Sequence, residues 1–222
     1  MNERVLVIVD DAFEMSTLVA ALRLHDIDVI AEAKSESVGI NLLRRLQPDV
    51  VLLDMNVLGI SAVKIAVKMR KENQSIGIVI LTSCSDLRLM GESNDEVPAG
   101  AIILVKKSIV DFTVLCDAIR ESKMAAIEQH KVTWINGNTS FQDHGVATLM
   151  AHLTNTQAEV LRLVANGMTN AQIGRTRYVS EKSVEQVISR VAQELHVQPD
   201  HNMNMRVQLV GEYYRWLGAP HH

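Results

Sequence analysis

The sequence predicts a doubly wound α/β domain at residues 1–127 and an all-helical domain at residues 152–222. Five short, mostly β-branched runs alternate with helical periodicity in the first domain. Four helical stretches without a strand-like run follow in the second. Because consecutive β-α units wind with one hand, the five strands should form a parallel sheet with helices on both faces. Polar turn-forming residues between the domains predict a linker at residues 128–151.

The five predicted strands are brief, apolar and closed by polar or turn residues, as buried strands are. They are residues 5–9, 29–31, 50–53, 78–81 and 102–105. Apolar residues three and four apart predict helices at residues 15–24, 37–46, 62–70 and 110–127. The stretch at residues 87–97 holds Gly91, Ser93 and Asn94, so we expect a short helix that is partly loop.

Composition excludes several classes of protein. The chain has 222 residues with 22 Lys and Arg against 26 Asp and Glu, and a net charge of −4 excludes a polybasic nucleic-acid tail. Two cysteines, Cys84 and Cys116, are too few for a disulfide framework and favour a reducing compartment. The start lacks a signal-peptide pattern, and no apolar stretch reaches about 18 residues. We therefore expect a soluble, cytoplasmic protein that does not contact the membrane.

Polar residues follow the predicted strands at one edge of the sheet. Asp10 and Asp11 follow the first strand, Asp54 the third, Thr82 the fourth and Lys106 the fifth. Ligands of doubly wound sheets bind where the carboxyl ends of the strands meet. Each of these acids alone could be a solvated residue at the end of a strand. Their occurrence at successive strand ends, together with Thr82 and Lys106, favours a binding site. Carboxylates this close require a cation, and oxygen ligands suit Mg²⁺, while the hydroxyl and the ammonium could neutralise phosphoryl oxygens.

The segments VIVDDAFE, PDVVLLDMN, ILTS and ILVKKSIVD resemble the receiver domain of two-component response regulators, which has a flavodoxin-like fold. The resemblance implies that Asp54 accepts a phosphoryl group from a sensor histidine kinase. It implies that Thr82 and Lys106 contact the phosphoryl oxygens, with Lys107 as the alternative to Lys106. The implied Mg²⁺ ligands are Asp10, Asp11, Asp54 and the backbone carbonyl of Asn56.

Two residues depart from the receiver pattern and motivate an alternative function. Leu58 stands where receivers usually have proline, and Ile103 where they usually have an aromatic switch residue. The alternative is an atypical receiver that partner docking switches in place of phosphorylation. A flavodoxin-like enzyme is disfavoured, because no glycine-rich phosphate loop follows the first strand.

The second domain has the pattern of a helix-turn-helix. Thr154 opens a helix that Gly167 ends, and Thr169 or Asn170 caps the next. A long third helix starts after Ser180 and has apolar residues at helical spacing on one face. Residues 153–197 resemble the LuxR-type helix-turn-helix of NarL/FixJ response regulators. The polar face of the third helix is therefore the candidate DNA-recognition surface.

Candidate DNA contacts lie on that helix and around the preceding turn. Gln186 can read base edges, whereas the basic residues suit phosphate contacts. The face could also be an ordinary solvated one, and Glu185 would repel phosphate. The candidate residues are Lys182, Ser183, Gln186, Ser189, Arg190, Arg177, Tyr178, Thr169 and Asn170.

The last helix carries more apolar side chains than one small domain can cover, and the resemblance implies a dimer surface there. The whole chain is thus predicted to be a non-enzymatic transcriptional regulator. It would bind promoter DNA as a homodimer under the control of aspartate phosphorylation.

Overall fold

The structure is a computed structural model that describes residues 3–136, 152–197 and 204–217. It divides into two compact units. The first comprises Met1–Thr82 and Asn94–Asn138, and the second comprises Ser83–Ser93 and Thr139–His222. An eleven-residue segment within the sequence of the first unit therefore packs with the second. Among the described helices, none is long and apolar enough to cross a membrane.

The first unit is built on a parallel sheet, as predicted. Its strands lie in the order β2-β1-β3-β6-β7-β8, and a short hairpin of β4 and β5 follows β3. The strands are β1 (Arg4–Ile8), β2 (Asp28–Ala33), β3 (Val50–Asp54), β4 (Asn56–Val57), β5 (Ile60–Ser61), β6 (Gly77–Thr82), β7 (Ile102–Val105) and β8 (Thr133–Ile135). β1, β3 and β6 are almost entirely buried, which explains their continuous apolar runs.

The prediction of five strands was wrong, because the described sheet has six. β8 pairs in parallel with β7, so that Ile103 lies opposite Trp134. Ile135 packs against the core of the unit. β8 lies within the residues predicted to form the linker. Its three residues are too few to show an alternating pattern beside the turn-forming residues that follow.

Four helices cover the sheet: α1 (Ala12–Leu24), α2 (Glu36–Leu46), α3 (Ala62–Glu72) and α4 (Thr113–Ile127). Asp11, Ser35 and Ser61 cap the first three by accepting from backbone N–H groups. Between β6 and β7 the structure has two 3₁₀ turns, Leu87–Met90 and Asn94–Glu96, where a short, partly looped helix was predicted.

The described part of the second unit contains the four predicted helices: α5 (Asn155–Ala165), α6 (Asn170–Arg177), α7 (Glu181–Glu194) and α8 (Met205–Trp216). Thr154 and Thr169 begin α5 and α6 with capping boxes to Gln157 and Gln172. Gly167, with φ of +80°, provides the left-handed backbone after α5. The four helices share one hydrophobic core, which α7 enters through Val184, Ile188 and Val191.

Candidate functional site

Neighbouring strand ends position the predicted acidic site. β1, β3, β6 and β7 are consecutive in the sheet, so the residues at their carboxyl ends lie side by side. Asp54 ends β3 opposite Leu81, and the fully buried Thr82 ends β6 opposite Val105. Lys106 comes directly after Val105, the last residue of β7. The structure therefore brings Asp54, Thr82 and Lys106 to adjacent positions at one edge.

Lys106 joins two carboxylates at this edge. Its Nζ lies 2.6 Å from Oδ1 of Asp54 and 2.7 Å from Oε1 of Glu14. Burial alone would lower the pKa of Lys106, but hydrogen bonds and charge from Asp54 and Glu14 outweigh burial and raise it. The lysine is thus held as an ammonium ion against Asp54. It is Lys106, rather than its neighbour Lys107, that makes this contact.

Glu14 was not among the predicted site residues. It lies in the first turn of α1, where its backbone N–H donates to Oδ1 of Asp11 at 2.7 Å. Because α1 begins directly after β1, this first turn lies at the same edge as Asp54. An acid three residues after an aspartate N-cap is a signal that could have placed Glu14 near the site.

Asp10 is held by the hairpin that follows Asp54. Its Oδ2 accepts from the backbone N–H of Leu58 at 2.8 Å. Leu58 and Gly59 have φ of +51° and +78° and form the two-residue turn between β4 and β5. A proline could neither adopt this φ nor donate this hydrogen bond. The departure from the receiver pattern at Leu58 therefore has a structural reason.

The predicted magnesium ligands have suitable chemistry but are engaged with other groups. Asp10 accepts from Leu58, Asp11 caps α1, and Asp54 contacts Lys106. Asn56 is exposed and its backbone pairs with Ser61. Within residues 3–136, 152–197 and 204–217, no three His, Cys, Asp or Glu side chains form a metal-holding group. The oxygen donors of these residues fit Mg²⁺, and the hydrogen bonds from backbone N–H groups occupy only Oδ2 of Asp10 and Oδ1 of Asp11, so the second oxygen of each carboxylate could bind the ion.

Ile103 lies in the middle of β7, between β6 and β8, and not at the carboxyl ends of the strands. It is completely buried and pairs with Ile80 of β6 and Trp134 of β8. An aliphatic side chain at this position offers neither a ring nor a hydroxyl that could turn in response to Thr82. The aromatic residue that receivers usually have at this position is therefore missing here, as is any relay through it.

The polar face of α7 is exposed along its length. Lys182, Gln186 and Arg190 are spaced four residues apart and therefore share one helical face. Glu185 and Ser189 are exposed beside them, whereas Ser183 is half-buried and shares a hydrogen bond with Ser180. This face has the cations and the amide that base and phosphate contacts require.

The other predicted DNA contacts differ in their availability. Tyr178 is 96% exposed, and Thr169 is exposed at the start of α6. Arg177 instead forms an ion pair with Glu159. The side chain of Asn170 accepts a hydrogen bond from Arg206 at 2.9 Å. Arg177 and Asn170 therefore each have an internal partner, and only their remaining donors are available to DNA.

Two protein families match this chain, one in the receiver-like part and one in the helical part. Residues 5–120, more than half of the chain, match the response regulator receiver domain. Residues 151–205 match the luxR family of bacterial regulatory proteins. Neither is a family of enzymes, in agreement with the prediction.

Relatives match along most of their length. The transcriptional regulatory protein LiaR of Bacillus subtilis is 31% identical over 206 residues, covering 87% of this chain and 91% of LiaR. A nitrate/nitrite response regulator homologue of Haemophilus influenzae is 27% identical, with 87% and 90% covered. The response regulator RcsB, solved in complex with DNA, has a similar fold, with a TM-score of 0.57, 18% identity, and 98% of this chain and 100% of that one covered. The chain therefore belongs to the response regulators and consists of a receiver domain and a LuxR-type DNA-binding domain.

Proposed function

We propose that Asp54 accepts a phosphoryl group from a sensor histidine kinase. The observation that carries this proposal is the Asp54 carboxylate at the end of β3, which is 15% exposed and 2.6 Å from the Lys106 ammonium. An oxygen of Asp54 would form the new O–P bond as the P–N bond to the kinase histidine breaks. Lys106 and the Thr82 hydroxyl would stabilise the negative phosphoryl oxygens.

Magnesium is the cofactor that this donor set suits. Asp10, Asp11, Asp54 and the carbonyl of Asn56 would hold it. The ion would supply charge neutralisation for the phosphoryl group. Asp10 could bind the ion through Oδ1 while Oδ2 keeps the hydrogen bond from Leu58, and Asp11 could bind it through Oδ2 while Oδ1 caps α1.

The second unit would bind promoter DNA through α7. The exposed Lys182, Gln186 and Arg190 support this, as does the structure of RcsB bound to DNA. On α8, Val207, Gly211 and Tyr214 form an exposed face at helical spacing, which suits contact with a second copy of the chain. A solved structure of RcsB dimers bound to DNA supports a dimer as the DNA-binding form, without reference to the surface that joins the two copies. Promoter DNA as the partner would place the protein in the cytoplasm.

Acetyl phosphate tests the proposal against switching by partner docking. The full chain is incubated with acetyl phosphate and Mg²⁺, and its intact mass is then measured. We expect a gain of one phosphoryl group that chelation of Mg²⁺ with EDTA prevents. An unchanged mass in the presence of Mg²⁺ would favour the alternative function, in which a partner protein and not phosphorylation switches the receiver.

Replacing Glu14 by glutamine should make the phosphorylated state last longer. Glu14 shares Lys106 with Asp54 and would face the negative phosphoryl group, so the substitution removes a repulsion and releases the lysine. A partly exposed charge pair contributes about 1 kcal/mol or less, which limits the expected gain in lifetime to about fivefold. The lifetime is followed by intact mass after the phosphodonor is removed.

Glu121→Gln, which removes the same charge from an exposed position of α4, should leave that lifetime unchanged. If Glu14→Gln behaves like this control, Glu14 has no influence on the phosphorylated state.

A further inference from the structure

Residues 83–93, which we call the strap, supply part of the core of the DNA-binding unit. Leu89 is fully buried and Cys84 is 2% exposed. Both belong to the hydrophobic cluster that contains Val160 of α5 and Trp216 of α8, and Met90 packs against it. Cys84, Leu89 and Met90 of the strap are therefore packed in the core of the second unit, even though the strap directly follows β6 in sequence.

Hydrogen bonds fix the strap at two helices. The hydroxyl of Tyr213 in α8 donates to the carbonyl of Leu89 at 2.7 Å. Arg88 donates from Nη1 to the carbonyl of Leu153 at 2.7 Å, just before α5 begins. Asp86 holds the same guanidinium, with Oδ2 2.6 Å from Nη2. The strap thus joins the start of α5 to the middle of α8.

The end of the 3₁₀ turn is shaped for this contact. Gly91 has φ of +79° and closes the turn through hydrogen bonds to the carbonyls of Arg88 and Leu87. The side chain of Arg162 in α5 lies over it, so close that an added Cβ would come within 3.1 Å of the guanidinium carbon. A side chain at this position would strain the left-handed backbone and crowd the guanidinium of Arg162.

We propose that α5 and α8 form a specific binding surface for the strap and that the strap passes the state of Thr82 to the DNA-binding unit. Ser83 follows Thr82 directly, so a movement of Thr82 toward a phosphoryl group pulls on one end of the strap. The other end is anchored by Leu89 and Tyr213 in the core that also holds α7. This coupling, unlike the docking, rests on the proposed phosphorylation of Asp54. In this coupling the signal travels along the backbone of the strap, because Ile103 has no aromatic ring that could carry it.

The two cysteines report on the strap in the intact chain. Cys84 lies in the strap, and Cys116 lies fully buried in the core of the receiver, where burial raises the pKa of its thiol. The rates at which a maleimide labels each thiol are measured by peptide mapping. Tyr213→Phe removes the hydrogen bond to Leu89 and should raise the rate at Cys84 about fivefold. Tyr178→Phe, which removes the same hydroxyl from a 96% exposed tyrosine, is the control in the absence of DNA and should change neither rate.

Gly91→Ala should raise the Cys84 rate as well, through backbone strain. An unchanged Cys84 rate in both Tyr213→Phe and Gly91→Ala would overturn the docking. So would an equal rise at Cys116, because it would show opening of the whole protein.

The coupling is tested with wild-type protein after acetyl phosphate treatment. Intact mass first establishes phosphoryl incorporation, so a failure of the proposed phosphorylation is seen separately. In the phosphorylated protein we expect Cys84 to react at least about fivefold faster, with no change at Cys116. Incorporation with an unchanged Cys84 rate would overturn the coupling, while absent incorporation would contradict the proposed phosphorylation on which the coupling rests. The docking is decided by the variants in either case.

Discussion

Replacing Asp54 by asparagine should abolish phosphoryl incorporation from acetyl phosphate. The amide has the shape of the carboxylate, but it lacks the nucleophilic oxygen that forms the O–P bond. Asp54 is the aspartate at this edge whose charge faces Lys106, a lysine that it shares with Glu14, while Asp10 and Asp11 accept from backbone N–H groups. Intact mass should therefore show no phosphorylated species for this variant under conditions that label the wild type.

Asp117→Asn is the matched control, because Asp117 is a 63% exposed aspartate on α4. It should label like the wild type. Circular dichroism of both variants should match the wild type, which separates a lost acceptor from a lost fold. Labelling of Asp54→Asn at the wild-type yield would place the acceptor at another residue.

Changes on the exposed face of α7 should separate affinity from sequence preference. Lys182→Ala and Arg190→Ala each remove a cation suited to a phosphate contact. Each should weaken binding to all sequences and lower the salt slope by about one. Gln186→Ala should cost about 1 to 3 kcal/mol on the preferred site and relax base choice. Titration of several DNA sites over a range of salt concentrations measures both effects.

Lys71→Ala removes the same charge from an exposed position of α3 in the receiver and serves as the control. It should preserve both the affinity and the salt slope. If the α7 variants keep the wild-type affinity and the wild-type ranking of sites, α7 is not the recognition helix.

Much of the fold could be predicted from the sequence because its elements carry strong local signals. Buried strands such as Val50–Asp54 are continuous apolar runs, and Thr154 and Thr169 mark helix starts through side-chain capping. Lys106 could be placed at the edge because it directly follows such a run. The chain order of these elements was sufficient to bring Asp54, Thr82 and Lys106 together.

The remaining features depend on contacts between distant residues. β8 is stabilised by pairing with β7, which three residues cannot indicate by themselves. The residues at 83–93 have poor helix propensity, but their sequence does not show that Leu89 is buried against α8. Glu14 lies near Lys106, 92 positions later in the chain, only because α1 begins and β7 ends at the same edge of the sheet.

Titration of one DNA site with unmodified and fully phosphorylated protein at fixed salt tests most directly whether phosphorylation of the receiver controls DNA binding. We expect the phosphorylated protein to bind more tightly, but by less than about tenfold, which corresponds to a coupling of less than about 1.4 kcal/mol. The coupling is small because Ile103 cannot provide the aromatic relay. Equal affinity of the two forms would contradict control by phosphorylation, and a hundredfold gain would contradict the weak coupling that follows from Ile103.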